Sequence, residues 1–342
     1  MNSLECDFDL AGLEKYLCDQ IEGFENISHI EKFKNGQSNP SYLLRTNLGK
    51  LVLRRQPFGE LLKSAHAVDR EYRVMSALRE TAVPVPKAIH LAMDTDVIGS
   101  MFYVMSFEQG RIFWDPTLPN CTARERTEIY SEMSRVLAAL HNLNVQQIGL
   151  ADFGRPGDYY ARQIDRWTRQ YRASETETLN SMEILIKWLP ENLPPESSDV
   201  SLIHGDFRID NIIFDTDQSQ ALALLDWELS TLGHPYADLA YQCMQWRLPN
   251  DCVIPGLGDI NRSKLGIPTE QEYVEMYCKG RNISEIQNWD FYLIFGFFRF
   301  AAILQGVKKR AVDGNASSDK AMEYGALTPL LADMALNILN GG

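Results

Sequence analysis

Apolar and polar positions change their spacing along the chain. Leu10 to Ile21 carries apolar residues at helical intervals, and residues 28–55 then alternate with the period of two that marks strands. The loop Asn35-Gly36-Gln37-Ser38-Asn39-Pro40 separates the first two strands and Asn47-Leu48-Gly49 the next two, predicting a β-meander. Helical spacing returns over Ala65 to Leu78 and stops at Val83-Pro84-Val85-Pro86. Lys87 to Met93 and Ser100 to Ser106 predict two further strands. From Thr122 onward the pattern is mostly helical. Thr122 with Glu125 and Thr269 with Glu272 are capping-box signatures, the first opening a long amphipathic helix to about Leu143. Helices are also predicted near Tyr159 to Tyr171, Ser181 to Leu189, Tyr236 to Trp246, Trp289 to Val312 and Asp319 to Asn340. The most apolar run, Phe291 to Leu304, contains Arg299 and falls short of the ~20 residues of a membrane span, so it predicts a buried core helix.

Composition narrows the partners. The 342 residues suffice for one large domain or two lobes, and 33 Lys and Arg against 46 Asp and Glu give a net charge of −13. That charge repels nucleic acid and anionic membrane surfaces and favours a small-molecule partner. Residues 1–105 carry 12 basic and 14 acidic side chains, which leaves 21 basic and 32 acidic in the remainder. The six cysteines form no C-x-x-C pair, as expected of thiols in a reducing compartment. The acidic N-terminus lacks the basic and apolar regions of a signal peptide, and a cytoplasmic location is the expectation. The sequence sets no oligomeric state.

Residues 200–227 interrupt the helical second part with a strand, a polar loop, a short strand, a turn at Asp215 to Ser219 and a strand ending at Asp226. The loop presents His204, Asp206, Asp210 and Asn211, and the hairpin can fold Asp226 back beside them. Singly, such residues are ordinary turn formers that bond nearby backbone amides. Together they offer carboxylate and amide oxygens of the kind that suits Mg²⁺. Phosphoryl transfer needs a base for the acceptor hydroxyl and metal ligands at the phosphates, roles that fit Asp206 and the pair Asn211 and Asp226 respectively.

The string H-G-D-x-x-x-x-N, followed by an apolar hairpin and L-L-D-W-E, resembles the protein-kinase-like superfamily, and within it the aminoglycoside phosphotransferase and choline kinase group. RQIDRWTRQY (162–171), GRIFWDPTLP (110–119) and FGFFRFAAILQGVKKRA (295–311) resemble the kinase-like N-terminal domain of certain acyl-CoA dehydrogenases and its free-standing bacterial relatives. The resemblance implies a two-lobed α+β fold: a small antiparallel β-sheet lobe with one main helix over residues 1–105, a hinge at 106–110 and a larger, mostly helical lobe over 111–342. It also implies Mg²⁺- and ATP-dependent phosphorylation of a small-molecule hydroxyl, with Asp206 as base and Asn211 and Asp226 as metal ligands. In that family His204 and Asp238 hold the catalytic loop in shape.

A nucleotide kinase further needs a phosphate loop, a cation beneath it, an acidic partner and a hinge. Ser38 in the loop between the first strands is the phosphate candidate. On Leu51-Val52-Leu53-Arg54, alternation puts Val52 and Arg54 on one face, to cover the base and meet the phosphates, while Arg55 points the other way and is expected in solvent. The superfamily usually has Lys where Arg54 stands. Glu71 is the candidate partner of Arg54. The backbone of Ser106 and Glu108 resembles the family's adenine contacts, and Arg208 stands where many protein kinases steady the transferred phosphate with a Lys. The acyl-CoA dehydrogenase resemblance points to a hydroxyacyl thioester or related metabolite as acceptor. Cations for its phosphates are Arg299, Lys308, Lys309 and Arg310, and Trp114 and Asp115 are further acceptor candidates; Arg299 is expected to pair with a carboxylate. No G-x-S-x-G, G-x-G-x-x-G or i, i+4 histidine pair is present. Arg54 in place of Lys motivates the alternative of a nucleotide-binding pseudokinase with a regulatory role.

Overall fold

A computed structural model describes residues 6–33, 39–59, 66–155, 157–195, 199–315 and 320–341. The elements run α1 (Leu10–Gln20), β1 (Ile27–Lys32), β2 (Ser41–Thr46), β3 (Gly49–Arg55), α2 (Val68–Leu78), β4 (Ala88–Ala92), β5 (Phe102–Ser106), α3 (Ala123–His141), α4 (Tyr159–Ser174) and α5 (Asn180–Glu191). They continue with β6 (Ser201–Ile203), β7 (Ile212–Phe214), β8 (Ala221–Leu224), β9 (Thr231–Gly233), α6 (Tyr236–Trp246), α7 (Arg262–Leu265), α8 (Glu270–Arg281), α9 (Trp289–Val312), α10 (Ala321–Gly325) and α11 (Thr328–Leu339). This is an α+β, protein-kinase-like fold.

Packing divides the chain into two compact units, Met1–Ile112 with Ile148–Leu150 and Asn211–Ser230, and Phe113–Gln147 with Ala151–Asp210 and Thr231–Gly342. A single cut near residues 106–110 therefore does not describe it, because the hairpin β7–β8 packs with the first unit. The reason is local. The Arg111 N–H donates to the Phe214 carbonyl at 2.7 Å and the Phe214 N–H returns the bond at 2.9 Å. Gly110 permits the approach, since a Cβ there would lie 2.3 Å from the Phe214 carbonyl oxygen.

In the first unit, five antiparallel strands form a sheet in the order β1-β2-β3-β5-β4. Alternation along β2, β3 and β5 sends Tyr42, Leu44, Leu53, Phe102 and Val104 into one cluster with Leu13 and Leu17 of α1. Arg55 lies on that side too and is not solvated: it is 2% exposed. Its guanidinium pairs with Asp7 at 2.6 Å and stacks 3.8 Å from the centroid of Phe58. Carboxylate and ring together replace the water that the charge gives up.

In the second unit, both capping boxes form as their sequences predict, Thr122 on α3 and Thr269 on α8. Helix α9 runs 24 residues and is long and apolar enough to cross a membrane, but 78% of its most apolar window is buried, chiefly against α4, α6, α10 and α11. The single helix expected over 319–340 is instead α10 and α11. Gly325 lets the chain close on Lys308, whose Cβ would be 2.4 Å from an added Cβ, and Pro329 stands in the first turn of α11, where a missing N–H costs nothing. Strand β9, unmarked in the sequence, pairs antiparallel with β6.

Candidate active site

Two nucleotide candidates of the first unit, Arg54 and Glu71, meet in a charge cluster with Asp226. Strand β3 places Arg54, 13% exposed, so that Nε lies 2.9 Å from Glu71 and Nη2 lies 2.6 Å from Asp226. Glu71, on the inner face of α2, also accepts from the Asn39 side-chain amide at 2.7 Å and from the Tyr103 hydroxyl at 3.0 Å. Burial raises the Glu71 carboxyl against the pull of Arg54. Burial also works against the Arg54 charge, but Glu71 and Asp226 outweigh it and its pKa is raised. Asn39 and Tyr103 escape sequence reasoning; a Tyr inside an apolar strand reads as core.

Asn211 and Asp226 flank the hairpin. Ile212 pairs with Leu224, and the Leu225 N–H donates to the Asn211 carbonyl at 2.8 Å, which aligns the two flanking residues. Asp226 has φ +65°, a left-handed conformation that costs a non-glycine residue about 1–3 kcal/mol and is found preferentially at functional sites. One carboxylate and one amide oxygen are hard donors of the kind that suits Mg²⁺. Among the described residues no group of three or more His, Cys, Asp or Glu side chains could hold a metal by itself. Val52 is buried on β3. At the end of β5 the Ser106 N–H donates to the Lys87 carbonyl at 3.0 Å. The Ser106 hydroxyl accepts from the Lys87 N–H at 2.8 Å and donates to Glu108. Ser38 lies outside the described residues.

The loop His204 to Asp210 is held within the second unit by α6. Asp238, fully buried, accepts from the His204 N–H at 2.6 Å and the Gly205 N–H at 2.8 Å. His141 lies 3.3 Å from the same carboxylate and is itself 2.8 Å from the Tyr277 hydroxyl. Gly205 turns the chain at φ +86°, a conformation that glycine adopts without strain. The Asp206 N–H donates to His204 Nδ1 at 3.2 Å, and burial, with the Asp206 charge adding to it, raises the pKa of Tyr241. Arg208 binds Asp210 through Nε at 2.8 Å and through Nη2; burial opposes its charge, but Asp206 and Asp210 raise its pKa.

Among the described residues no carboxylate pairs with Arg299, contrary to expectation. Its Nη2 donates to the Gly205 carbonyl at 2.7 Å, and its guanidinium lies over the rings of Tyr241 and Trp167. It is only 5% exposed. Asp115 also serves structure: its carboxylate accepts from the Thr117 N–H at 2.8 Å and hydroxyl at 2.7 Å, closing a turn. Lys308 and Lys309 pair with Glu177 and Asp313. Trp114, 58% exposed, does line a pocket with Pro116, Trp246, Ile254 and Pro255 as apolar walls. Arg208, Asp210, Gln242 and Gln245 supply its polar side, and its one carboxylate, Asp210, is already bound to Arg208.

Burial also sets a pH response. Desolvation lowers the pKa of His141, and lowers that of His234 to about 4. An unfolded histidine titrates near 6.5, so below that pH the unfolded chain binds protons the folded chain refuses. The stability tied to His234 is therefore complete above about pH 6.5 and falls as pH drops toward 4, by up to ~1.4 kcal/mol per pH unit, and His141 acts in the same direction. His234→Phe, which keeps a ring against Tyr292, is expected to flatten the decline of melting temperature across that window; an unchanged slope would exclude His234 as a cause.

Comparison with known proteins follows the same lines. A family model described as "Phosphotransferase enzyme family" matches residues 29–277. Acyl-CoA dehydrogenase family member 10 of Mus musculus is 47% identical over 94% of this chain and 30% of its own. Family member 11 of Homo sapiens is 40% identical over 97% of this chain and 43% of its own, so the chain spans less than half of either relative. A solved Ralstonia eutropha protein, provisionally described as an aminoglycoside phosphotransferase, is 44% identical with a TM-score of 0.89 over 98% of this chain and 99% of that one. Spectinomycin phosphotransferase shares the fold at 12% identity, TM-score 0.65, over 98% and 99% of the two chains.

Proposed function

Because the chain belongs to the phosphotransferase enzyme family, we propose that it is a Mg²⁺- and ATP-dependent kinase for a hydroxyl on a small molecule. The observation that carries this reading is the cluster in the first unit. Arg54 bridges Glu71 and Asp226, keeps its charge under burial, and stands beside a strained carboxylate of metal-binding type. A fixed guanidinium suits phosphate oxygens through its paired N–H groups. Val52 covers the base and the backbone at Ser106 and Glu108 receives its edge. Asn211 and Asp226 would hold Mg²⁺, which would supply neutralisation of the phosphate charge. Asp206 orients the acceptor hydroxyl and takes its proton as the acceptor oxygen bonds to the γ-phosphorus. The bridging β,γ bond breaks, and ADP leaves with that electron pair. Arg208 counters charge near the transferred group.

A hydroxyacyl thioester or related metabolite is the acceptor that the acyl-CoA dehydrogenase relatives suggest, and the pocket beside Trp114 does not suit a polycation. A polycation needs unpaired carboxylates, and the one carboxylate there is bound to Arg208. The measurement is ADP formation with hydroxyacyl-CoA, aminoglycosides and choline-like alcohols in turn. Hydroxyacyl-CoA is expected to stimulate it; strong turnover of an aminoglycoside with none on thioesters would overturn the acceptor. The contact of Arg54 with Asp226 favours a second reading, a nucleotide-binding protein without turnover. That reading predicts Mg-ATP binding and no ADP formation with any acceptor.

A further inference from the structure

Glu71, Arg54 and Asp226 touch in that order, and exposure rises along the series from 1% to 13% to 34%. Glu71 does not depend on Arg54 alone. One of its oxygens accepts from the Asn39 amide at 2.7 Å and the other from the Tyr103 hydroxyl at 3.0 Å. The guanidinium is held unequally at its two ends. Nε lies 2.9 Å from Glu71 but is out of line for a hydrogen bond, whereas Nη2 donates one to Asp226 at 2.6 Å. The better-made bond is thus to the more exposed carboxylate, the one read as a metal ligand, and a bond between two charged groups is of the strong kind. Lys, usual at this position in the superfamily, offers one nitrogen where Arg54 uses two, so the span depends on the guanidinium.

We propose that Arg54 is a latch on Asp226, holding that carboxylate from a divalent cation until nucleotide phosphates take the guanidinium, so that metal and nucleotide bind together and not singly. This rests on the reading of Asp226 as a metal ligand. A carboxylate bonded to a guanidinium has part of its charge answered already, and a divalent cation brought beside Arg54 meets a like charge. A triphosphate carries more negative charge than one carboxylate and accepts paired N–H groups equally well. Once its oxygens hold Arg54, Asp226 is free for the cation. Glu71 does not oppose the exchange, because Asn39 and Tyr103 keep both of its oxygens bonded. The exposure gradient also favours it: the Asp226 end of the guanidinium is the end a ligand reaches first. By linkage, the factor by which nucleotide tightens the metal is the factor by which the metal tightens nucleotide.

The test is Mn²⁺ binding, read by electron paramagnetic resonance, with and without saturating AMP-PNP, so that no turnover enters. Chelation by the nucleotide in solution is common to every protein compared and cancels. Arg54→Gln is made together with Glu71→Gln, which avoids leaving a buried carboxylate without its cation, and Glu71→Gln alone, which keeps the latch, is the reference. Without nucleotide, the double variant is expected to bind Mn²⁺ about tenfold or more tighter than the reference, the range of one hydrogen bond to a charged group. With AMP-PNP bound, no gain is expected, because Arg54 has already left Asp226. Arg54→Lys is expected to move in the same direction by a smaller factor, and carries the comparison if the double variant does not fold. No gain without nucleotide overturns the inference. An equal gain in both states also overturns it, since that is the effect of removing any nearby positive charge. Asp226→Asn is expected to weaken Mn²⁺ binding in both states; wild-type affinity there would instead bring down the reading of Asp226 as a metal ligand, and the latch with it.

Discussion

Asp206→Asn is expected to lower acceptor-dependent ADP formation by about 10²–10⁴-fold, the usual contribution of a general base, while Mg-ATP binds as to the wild type. The amide keeps the shape of the carboxylate but takes no proton. It also leaves the loop's supports in place, because these reach the backbone: Asp238 holds the N–H groups of His204 and Gly205, and Arg299 holds the Gly205 carbonyl. Loss of turnover with intact nucleotide binding thus separates the chemical role from folding. Titration of Mg-ATP by calorimetry beside an ADP-release assay checks both halves; unchanged turnover would remove Asp206 from the mechanism.

Asp238→Ala is expected to destabilise the protein by about 3–5 kcal/mol, the scale for breaking a buried charged network by removing one partner. Asp238 is fully buried and serves two backbone N–H groups and His141 at once. Burial pushes its carboxyl up, but His141, His204 and the Gly205 N–H more than offset this and its pKa is lowered. Stability from this group is present above the unfolded value near 3.9 and is lost as pH falls through the lower folded value. Urea denaturation at neutral pH measures the cost. Asp238→Asn keeps an acceptor oxygen but turns an amide N–H₂ toward a backbone donor, so it is expected to recover only part of the loss. A variant as stable as the wild type would show that the loop does not depend on Asp238.

Much of this molecule was legible in its sequence where the signal is local. The capping boxes at Thr122 and Thr269, the bounds of α6 and α9 and the turn at Asp215 depend on residues within a few positions of one another. The same holds for H-G-D-x-x-x-x-N: its glycine answers to a left-handed backbone, φ +86° at Gly205, that few other residues adopt. The pair Arg54 and Glu71 was also within reach, since period two on β3 and the helical face of α2 each limit where a side chain can point.

Partners of buried charges were not legible. The alternation that set Arg55 apart from Arg54 could not say that Asp7 and Phe58 would enclose it. Arg299 announced that something must answer its charge, and only the packing of α9 on the loop shows a carbonyl and two rings in place of a carboxylate. Tyr241 and Trp167 read as core residues at helical spacing, and β9 was too short to leave a period of its own.

The sequence by itself determined most of the order of helices and strands, the phosphotransferase motif and the residues with the chemistry of a base and metal ligands. Those properties follow from backbone period, capping and side-chain chemistry, which act over a few residues. Tertiary structure alone decided that residues 211–230 pack with the first unit, that Arg54 is held by Asp226 as well as Glu71, and that Asp238 holds the N–H groups of His204 and Gly205. In each case a charge or a backbone polar group removed from water had to find its partner, and that partner lies far away along the chain.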